Sequence, residues 1–287
     1  MKKILVTGAN GQLGKCLKDL KNRYPEFEWT FTTKGELDIS NMSSIRHYFE
    51  RNSFDYVINT AAFTDVEGSE TQKEKAFSVN AEGIKELAIA VANSNGCLIH
   101  ISTDYVFDGE KESPYKENDG VNPLNVYGAS KLAGEKYIEE YCSKHYILRT
   151  SWLYSQYGHN FFLSVLKWAN EGRDMSITTE QIGSPTNAND LAEALVTVIK
   201  GDKEEYGIYH FSNEGKGTWF DFASEILRLN GQLDEVNLAK TDHYRTFAKR
   251  PKYSVLDNSK IQETFQIRAL NWKASLKKLI TTLKNNK

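Results

Sequence analysis

Residues 3–6 (KILV) are a short apolar run, too short for a helix, and a glycine-rich turn follows them. Leu13, Leu17 and Leu20 then recur at helical spacing. Residues 28–33 (EWTFTT) are rich in aromatic and β-branched types and predict a second strand. Residues 43–52 predict a helix, and Tyr56, Val57 and Ile58 a third strand. A long stretch rich in Ala, Glu and Leu predicts one helix over 75–93, and residues 97–101 a fourth strand. A helix is expected from near Tyr127 to Cys142, and Tyr146, Ile147 and Leu148 make a fifth strand. Beyond residue 150 the pattern is less regular. Helices are expected over 160–170, 189–199, 219–229 and 272–283, with Asn187 or Asn189 capping the second of these. Residues 207–211 have strand character.

Strands alternating with helices of this length predict an α/β fold, a doubly wound parallel sheet covered on both faces, because parallel crossovers are long and right-handed. Unbroken apolar runs fit strands buried on both sides. In such sheets ligands bind beyond the carboxyl ends of the strands. That rule selects residues 8–14, 32–34, 59–64, 102–104 and 149–152. The less regular second half predicts a smaller mixed α/β C-terminal substrate domain that interleaves with the first. The expected division is residues 1–151 with 186–213 for dinucleotide binding, and 152–185 with 214–287 for substrate.

Composition removes classes rather than adding chemistry. The chain has 287 residues, 36 Lys+Arg and 38 Asp+Glu, for a formal net charge of -2. That balance argues against a nucleic-acid footprint. No run approaches the ~20 apolar residues of a membrane helix. Met1, Lys2 and Lys3 lead straight into the first strand, so no leader is expected, and the cytoplasm is the expected compartment. Cys16, Cys97 and Cys142 are odd in number, far apart and without a CxxC pair, so neither a disulfide framework nor a zinc site is expected.

The sequence GANGQLG (8–14) joins the first strand to the first helix. Glycines let the backbone turn sharply and approach a pyrophosphate, and the helix N-terminus offers free N–H groups to the anion. This placement makes the sheet a Rossmann candidate, although the spacing is GxxGxxG rather than GxGxxG. An acid at the end of the second strand would bind a ribose diol and favour NADH. Here Thr32, Thr33 and Lys34 stand there, which suits a 2′-phosphate and favours NADPH. Glu36 and Asp38 lie close by and would restore NADH use, or are solvated loop charges.

Tyr127 and Lys131 are four residues apart, so they share one helix face. A free phenol has a pKa of about 10. A neighbouring ammonium would lower it, so that the tyrosine exchanges a proton with an alcohol oxygen near neutral pH. Thr103 ends the fourth strand, where its hydroxyl could orient a substrate carbonyl. Alternation would turn Ser102 to the other side. A lone YxxxK is weak; with the glycine turn and a strand-end hydroxyl it becomes strong.

Carrying these motifs, the chain resembles the extended short-chain dehydrogenase/reductase superfamily and, within it, the dTDP-4-dehydrorhamnose reductase family. Further marks are ELDIS (36–40), NTAAFTDVEGSE (59–70), STDYVFDG (102–109), NVYGASKLAGE (125–135), RTSWLY (149–154), QIGSPT (181–186) and KRP (249–251). The resemblance implies NADPH-dependent reduction of the C4 keto group of dTDP-4-dehydro-L-rhamnose. It implies Thr103, Tyr127 and Lys131 as catalytic residues, and Gly8, Gly11, Gln12 and Leu13 on the pyrophosphate. Asp38 and Ile39 would lie beside the adenine, and Ala61, Ala62 and Thr64 would line cofactor and sugar. Tyr105 and Trp152 would hold the deoxysugar, with Asp104 also on the substrate side. Asn160, Gln181 and Arg250 would lie near the diphosphate and thymidine.

Read from residues alone, Trp152 and Tyr105 fit core or rim aromatics equally well. Arg250 suits a diphosphate through its planar fork, or a solvated loop. Some family members hold a metal between subunits through two acids. Those positions correspond here to Cys16 and Asn189, so a monomer or weak homodimer without a metal bridge is expected. Two other readings stay open: an epimerase or dehydratase of the same superfamily, and a non-catalytic subunit resembling the regulatory partner of methionine adenosyltransferase.

Overall fold

The structure is a computed structural model that describes residues 1–242 and 246–285. In the first half β1 (Lys2–Thr7), α1 (Gln12–Leu20), β2 (Phe27–Thr32), α2 (Met42–Phe49) and β3 (Tyr56–Asn59) follow in turn. Then come α3 (Val66–Thr71), α4 (Lys73–Phe77), α5 (Gly83–Asn93), β4 (Cys97–Thr103), α6 (Val126–Tyr141) and β5 (His145–Thr150). The second half brings β6 (Leu153–Tyr154), α7 (Phe161–Asn170), β7 (Met175–Thr178), β8 (Ile182–Gly183), β9 (Thr186–Asn187) and α8 (Ala188–Gly201). It ends with β10 (Gly207–His210), β11 (Gly217–Thr218), α9 (Trp219–Asn230), β12 (Leu238–Thr241), α10 (Ser259–Phe265) and α11 (Trp272–Asn285).

Six parallel strands form the central sheet in the order β10-β5-β4-β3-β1-β2. This is the doubly wound α/β sheet that the alternating pattern predicts. Residues 207–211, read only as strand-like, supply its edge by pairing with β5. Ile4, Val6, Ile58 and Ile99 pack on one face with Leu17 of α1 and Leu191 and Leu195 of α8. Leu5, Val57, Leu98 and Ile147 pack on the other with Ile84 and Leu87 of α5 and Ile138 of α6. Consecutive strand residues thus enter opposite cores, which is why the strands read as unbroken apolar runs. All three cysteines are buried and free. A separate apolar cluster joins α7, α9 and α11 through Phe162, Phe222 and Trp272.

The helix expected over 75–93 runs without a break from Lys73 to Asn93, but its hydrogen-bonding pattern changes within it. The stretch expected as a single helix over 75–93 contains a π-helical turn, Ser78–Glu82, between α4 and α5. Hydrophobic periodicity does not register one extra residue per turn, so the sequence hid it. The turn matters because α6 crosses it at very short range. A Cβ on Gly134 of α6 would lie 2.2 Å from the Asn80 carbonyl oxygen, and one on Gly128 would lie 2.2 Å from that of Tyr105. Asn80 is fully buried, and its Nδ2 donates to Phe63 O and to Ser130 Oγ of α6. Asn125 caps α6 by accepting from Gly128 N at 2.7 Å, and its amide donates to Lys249 O at 2.8 Å. The helix that carries Tyr127 and Lys131 is therefore seated by backbone contact. Gly134→Ala should cost about 2 kcal/mol of stability, as core overpacking does; urea unfolding of the two proteins measures it.

Candidate active site

The glycine turn sits where the sheet order reverses, between β1 and its neighbours β2 and β3. Gly8 has φ +67°, and a Cβ there would lie 2.7 Å from Ala61 N. A Cβ on Gly14 would meet Ala9 Cα and Gly8 O, both at 2.7 Å. Only glycine lets the turn lie against residue 61 and α1 lie on the turn. No side chain caps α1 at Gly11, and its first turn carries no acid. The first-turn N–H groups lack intrahelical partners, so this end presents donors and positive potential to an anion. A dinucleotide pyrophosphate fits that donor set.

A cavity of about 1190 Å³ runs from this turn across the strand ends. Of the expected cofactor residues, Gly8, Gly11, Gln12, Leu13, Lys34, Asp38, Ile39, Ala61, Ala62, Tyr127 and Lys131 line it. Thr33 does not: its hydroxyl and N–H both donate to Glu36 Oε2, at 2.9 and 2.8 Å. Those two bonds hold the exposed Glu36 carboxyl below its usual range. Glu36 thus turns back on the strand end, a local contact that the order of residues did not reveal. Lys34 stays largely exposed beside Asp38, 3.7 Å away.

Thr103 ends β4 and caps a 3₁₀ turn, where its Oγ1 donates to Asp104 Oδ1 and accepts from Tyr105 N, both at 3.1 Å. Asp104 is 2% exposed, and burial pushes its carboxyl up to about 7 against the pull of nearby Ser254 and Thr103 hydroxyls. Ser102 also borders the cavity, but its hydroxyl is buried and has no hydrogen-bond partner among the described residues.

The expected Tyr127–Lys131 coupling needs correction. Both residues reach the cavity. The Lys131 amine, however, points to Ile101 O at 2.7 Å and His100 Nε2 at 2.9 Å. Burial pushes the Tyr127 phenol up to about 12; Asp104 adds to the rise and the Thr103 hydroxyl opposes it. Burial brings the Lys131 ammonium down to about 7 against the attraction of Glu135. Helical spacing puts the two side chains on one face; the depth of the cleft then opposes charge on either one.

On the substrate side, Thr64, Asp104, Tyr105, Trp152, Asn160 and Arg250 line the main cavity. Gln181 lines only a second cavity of about 600 Å³, which shares Asn160, Phe161, Trp219 and Arg250 with the first. Its Oε1 accepts from Trp219 Nε1 at 2.9 Å. Asn160 caps α7 and donates to Gln12 Oε1 at 2.8 Å, so it ties the glycine turn to the second half. Arg250 donates to Glu67 Oε1 at 2.9 Å. Trp152 has φ +46° and stacks on Trp219 with centroids 3.8 Å apart. A Cβ on Gly183 would strike that indole at 2.5 Å. A tryptophan in the left-handed region is a strained position of the kind that gathers at ligand sites.

Three contributors escaped the sequence reading: His100, Glu67 and Trp219. His100 carried a signal, a lone imidazole in an apolar strand. Glu67 and Trp219 carried none, since each acts through a partner far along the chain.

Comparison with known proteins follows the same lines. The family model described as RmlD substrate binding domain matches residues 1–285. The chain is 38% identical over 289 residues to a dTDP-4-dehydrorhamnose reductase of Aggregatibacter actinomycetemcomitans, covering 97% of this chain and 98% of that one. It resembles the crystal structure of a dTDP-4-dehydrorhamnose reductase from Clostridium acetobutylicum, with TM-score 0.92 and 40% identity over 98% of this chain and 99% of that one. It is also similar to the Bacillus anthracis dTDP-4-dehydrorhamnose reductase solved in complex with NADP, with TM-score 0.93 and 34% identity over 98% and 99%.

The Lys131 environment has a consequence for stability. Its folded pKa lies below the unfolded value, so between pH 7 and about 10.5 the unfolded chain binds the extra proton. Stability therefore gains from this group as pH rises through that window. Relative to Lys131→Met, the protein should become more stable by about 2 kcal/mol between pH 7 and 9. Denaturant titrations of both proteins across that range read the difference.

Proposed function

The chain belongs to the RmlD substrate binding domain family, and on that premise we propose that it reduces the C4 keto group of dTDP-4-dehydro-L-rhamnose to dTDP-L-rhamnose with NADPH. The observation that carries the proposal is one continuous cavity. It joins the uncapped glycine turn to Thr103, Tyr127 and Lys131, and then to Trp152 and Arg250. Full-length relatives that bear the reductase name support the same reading. When bound, the nicotinamide supplies the hydride that reaches C4.

The residues of this chain do the rest. Gly8, Gly11, Gln12 and Leu13 cradle the pyrophosphate, Gln12 and Leu13 with first-turn N–H groups while the Gly11 N–H closes the turn on Gly8 O. Tyr127 donates its proton to the developing C4 oxygen, and a phenol pushed up to about 12 is fully protonated at neutral pH. Lys131, when charged, stabilises the phenolate that remains and holds the ribose of the cofactor. Thr103 orients the keto oxygen by turning its one hydroxyl proton from Asp104 Oδ1 to the substrate, while Tyr105 N holds the threonine oxygen in place. Tyr105 and Trp152 flank the deoxysugar. Arg250 takes the diphosphate, and the second cavity beyond it accepts the thymidine.

We place this enzyme in the cytoplasm as a monomer or weak homodimer without a metal bridge, since positions 16 and 189 carry a thiol and an amide. Among the described residues no helix is long and apolar enough to cross a membrane. We keep the proposed units as residues 1–151 with 186–213, and 152–185 with 214–287.

Incubation of the purified protein with NADPH and the 4-keto sugar nucleotide tests the proposal. Loss of NADPH absorbance is expected, and a folded, cofactor-binding protein that consumes none would overturn it. Tyr127→Phe should lower kcat by about 10²-fold or more with an unchanged circular dichroism spectrum. Full activity in that variant would remove Tyr127 as proton donor.

A further inference from the structure

A buried polar chain runs from β1 to α6 beneath the cavity. Thr7 Oγ1 donates to Asn59 Oδ1 at 2.5 Å. Asn59 Nδ2 faces His100 Nδ1 at 3.0 Å and Ala61 O at 3.3 Å. His100 Nε2 faces Lys131 Nζ at 2.9 Å. All four side chains are at most 2% exposed, so water does not substitute for a missing partner.

The donors and acceptors fix the protons. A carbonyl oxygen accepts only, so Ala61 O orients the Asn59 amide with Nδ2 toward His100. Nδ1 of His100 must then accept, and a neutral imidazole has one acceptor and one donor. The ring proton is therefore on Nε2 and points at Lys131. The lysine nitrogen can accept it only as the neutral amine. If Lys131 gains a proton, its ammonium needs an acceptor at Nε2. The ring proton then belongs on Nδ1, and the Asn59 amide must turn to offer Oδ1. Thr7 serves either arrangement, because a hydroxyl donates or accepts; the turned amide gives up its 3.3 Å bond to Ala61 O, a cost that the new Lys131 charge and its bond to Nε2 offset. One proton enters in total: Lys131 holds it, and His100 keeps a single proton that changes nitrogen.

We infer that His100 and Asn59 form a two-position switch that sets the charge of Lys131, the His100 tautomer and the Asn59 amide turning together with protonation of the lysine. The groups around the switch fit this assignment. Glu135 of α6 attracts a Lys131 ammonium but is hydrogen-bonded to Arg149 of β5 at 2.6 Å, so the Lys131 nitrogen depends on His100 and Ile101 for its bonds. Asp104 and Tyr127 face the cavity side, and β1 and β3 offer only the neutral Thr7 and Asn59. Burial holds His100 well below its usual range, so the ring stays neutral throughout. His100 is thus a positioning residue that acts through Lys131. The inference rests on the proposed role of Lys131 in the reductase.

Nitrogen-15 NMR of the histidine rings in the full-length free protein tests it, with His100 assigned by the signal lost in His100→Gln. Above the Lys131 midpoint, read from its Cε shift, the ring should carry its proton on Nε2. Below it, the proton should be on Nδ1. A single tautomer across the Lys131 titration overturns the switch. When ionised, Asn59→Asp can only accept from the ring, so above the pH at which that carboxyl ionises it should lock the Nδ1–H tautomer and raise the Lys131 midpoint by about one pH unit or more. A folded Asn59→Asp protein with the wild-type tautomer and midpoint overturns it too. Should that variant not fold, the wild-type measurement decides alone. Since no sugar nucleotide is present, failure here is distinct from failure of the reductase reading.

Discussion

The burial of one amine organises this site. Lys131 is 2% exposed, and its nitrogen is held by a main-chain carbonyl of β4 and by an imidazole. A lysine stays at such depth only if its donors find partners and its charge is countered or withdrawn. The partners exist because α6 is pressed onto the π-helical turn and the end of β4 at Gly134 and Gly128. The approach that seats the helix therefore also brings Tyr127 to the cavity wall beside Thr103 and Asp104.

The second half of the chain closes the site through contacts of a different kind. Glu67, at the start of α3, accepts from Phe247 N, Ala248 N and Arg250, and so fastens the loop that brings the arginine to the cavity. Asn160 joins the head of α7 to Gln12, and Ser151 Oγ donates to Ser184 O beneath Trp152. These polar ties act beside apolar cores that both halves share, such as Val106, Phe107 and Tyr115 packed with Tyr253 and Val255. The aromatic pair Trp152 and Trp219 lines the cavity, with Gly183 as the position that leaves room for the indole.

The legible parts were those whose signal is local. The first five strands, the helices between them and the glycine turn follow from runs and periods of a few residues, and the structure departs from them by one or two residues at most boundaries. The failures also have local causes that lie outside such patterns. The π-helical turn adds a residue without disturbing the apolar stripe. The Thr33 hydroxyl suits a phosphate by type, yet Glu36 lies one turn onward and takes both its donors. The short strands β6, β8, β9 and β11 have two residues each and carry no period at all.

By itself the sequence determined the doubly wound sheet, the identity of the anion-binding turn and the pairing of Tyr127 with Lys131 on one helix face. Each depends on the geometry of a few consecutive residues, which the chain carries wherever it goes. The tertiary structure alone decided the protonation of that pair. A neighbouring ammonium would lower the phenol, whereas burial raises it to about 12 and draws the lysine down to about 7. Desolvation depends on everything packed around a group, and hydrogen bonding depends on which atoms meet. His100, 31 residues from Lys131, could be recognised as its partner only once the sheet and α6 had brought the two within 2.9 Å.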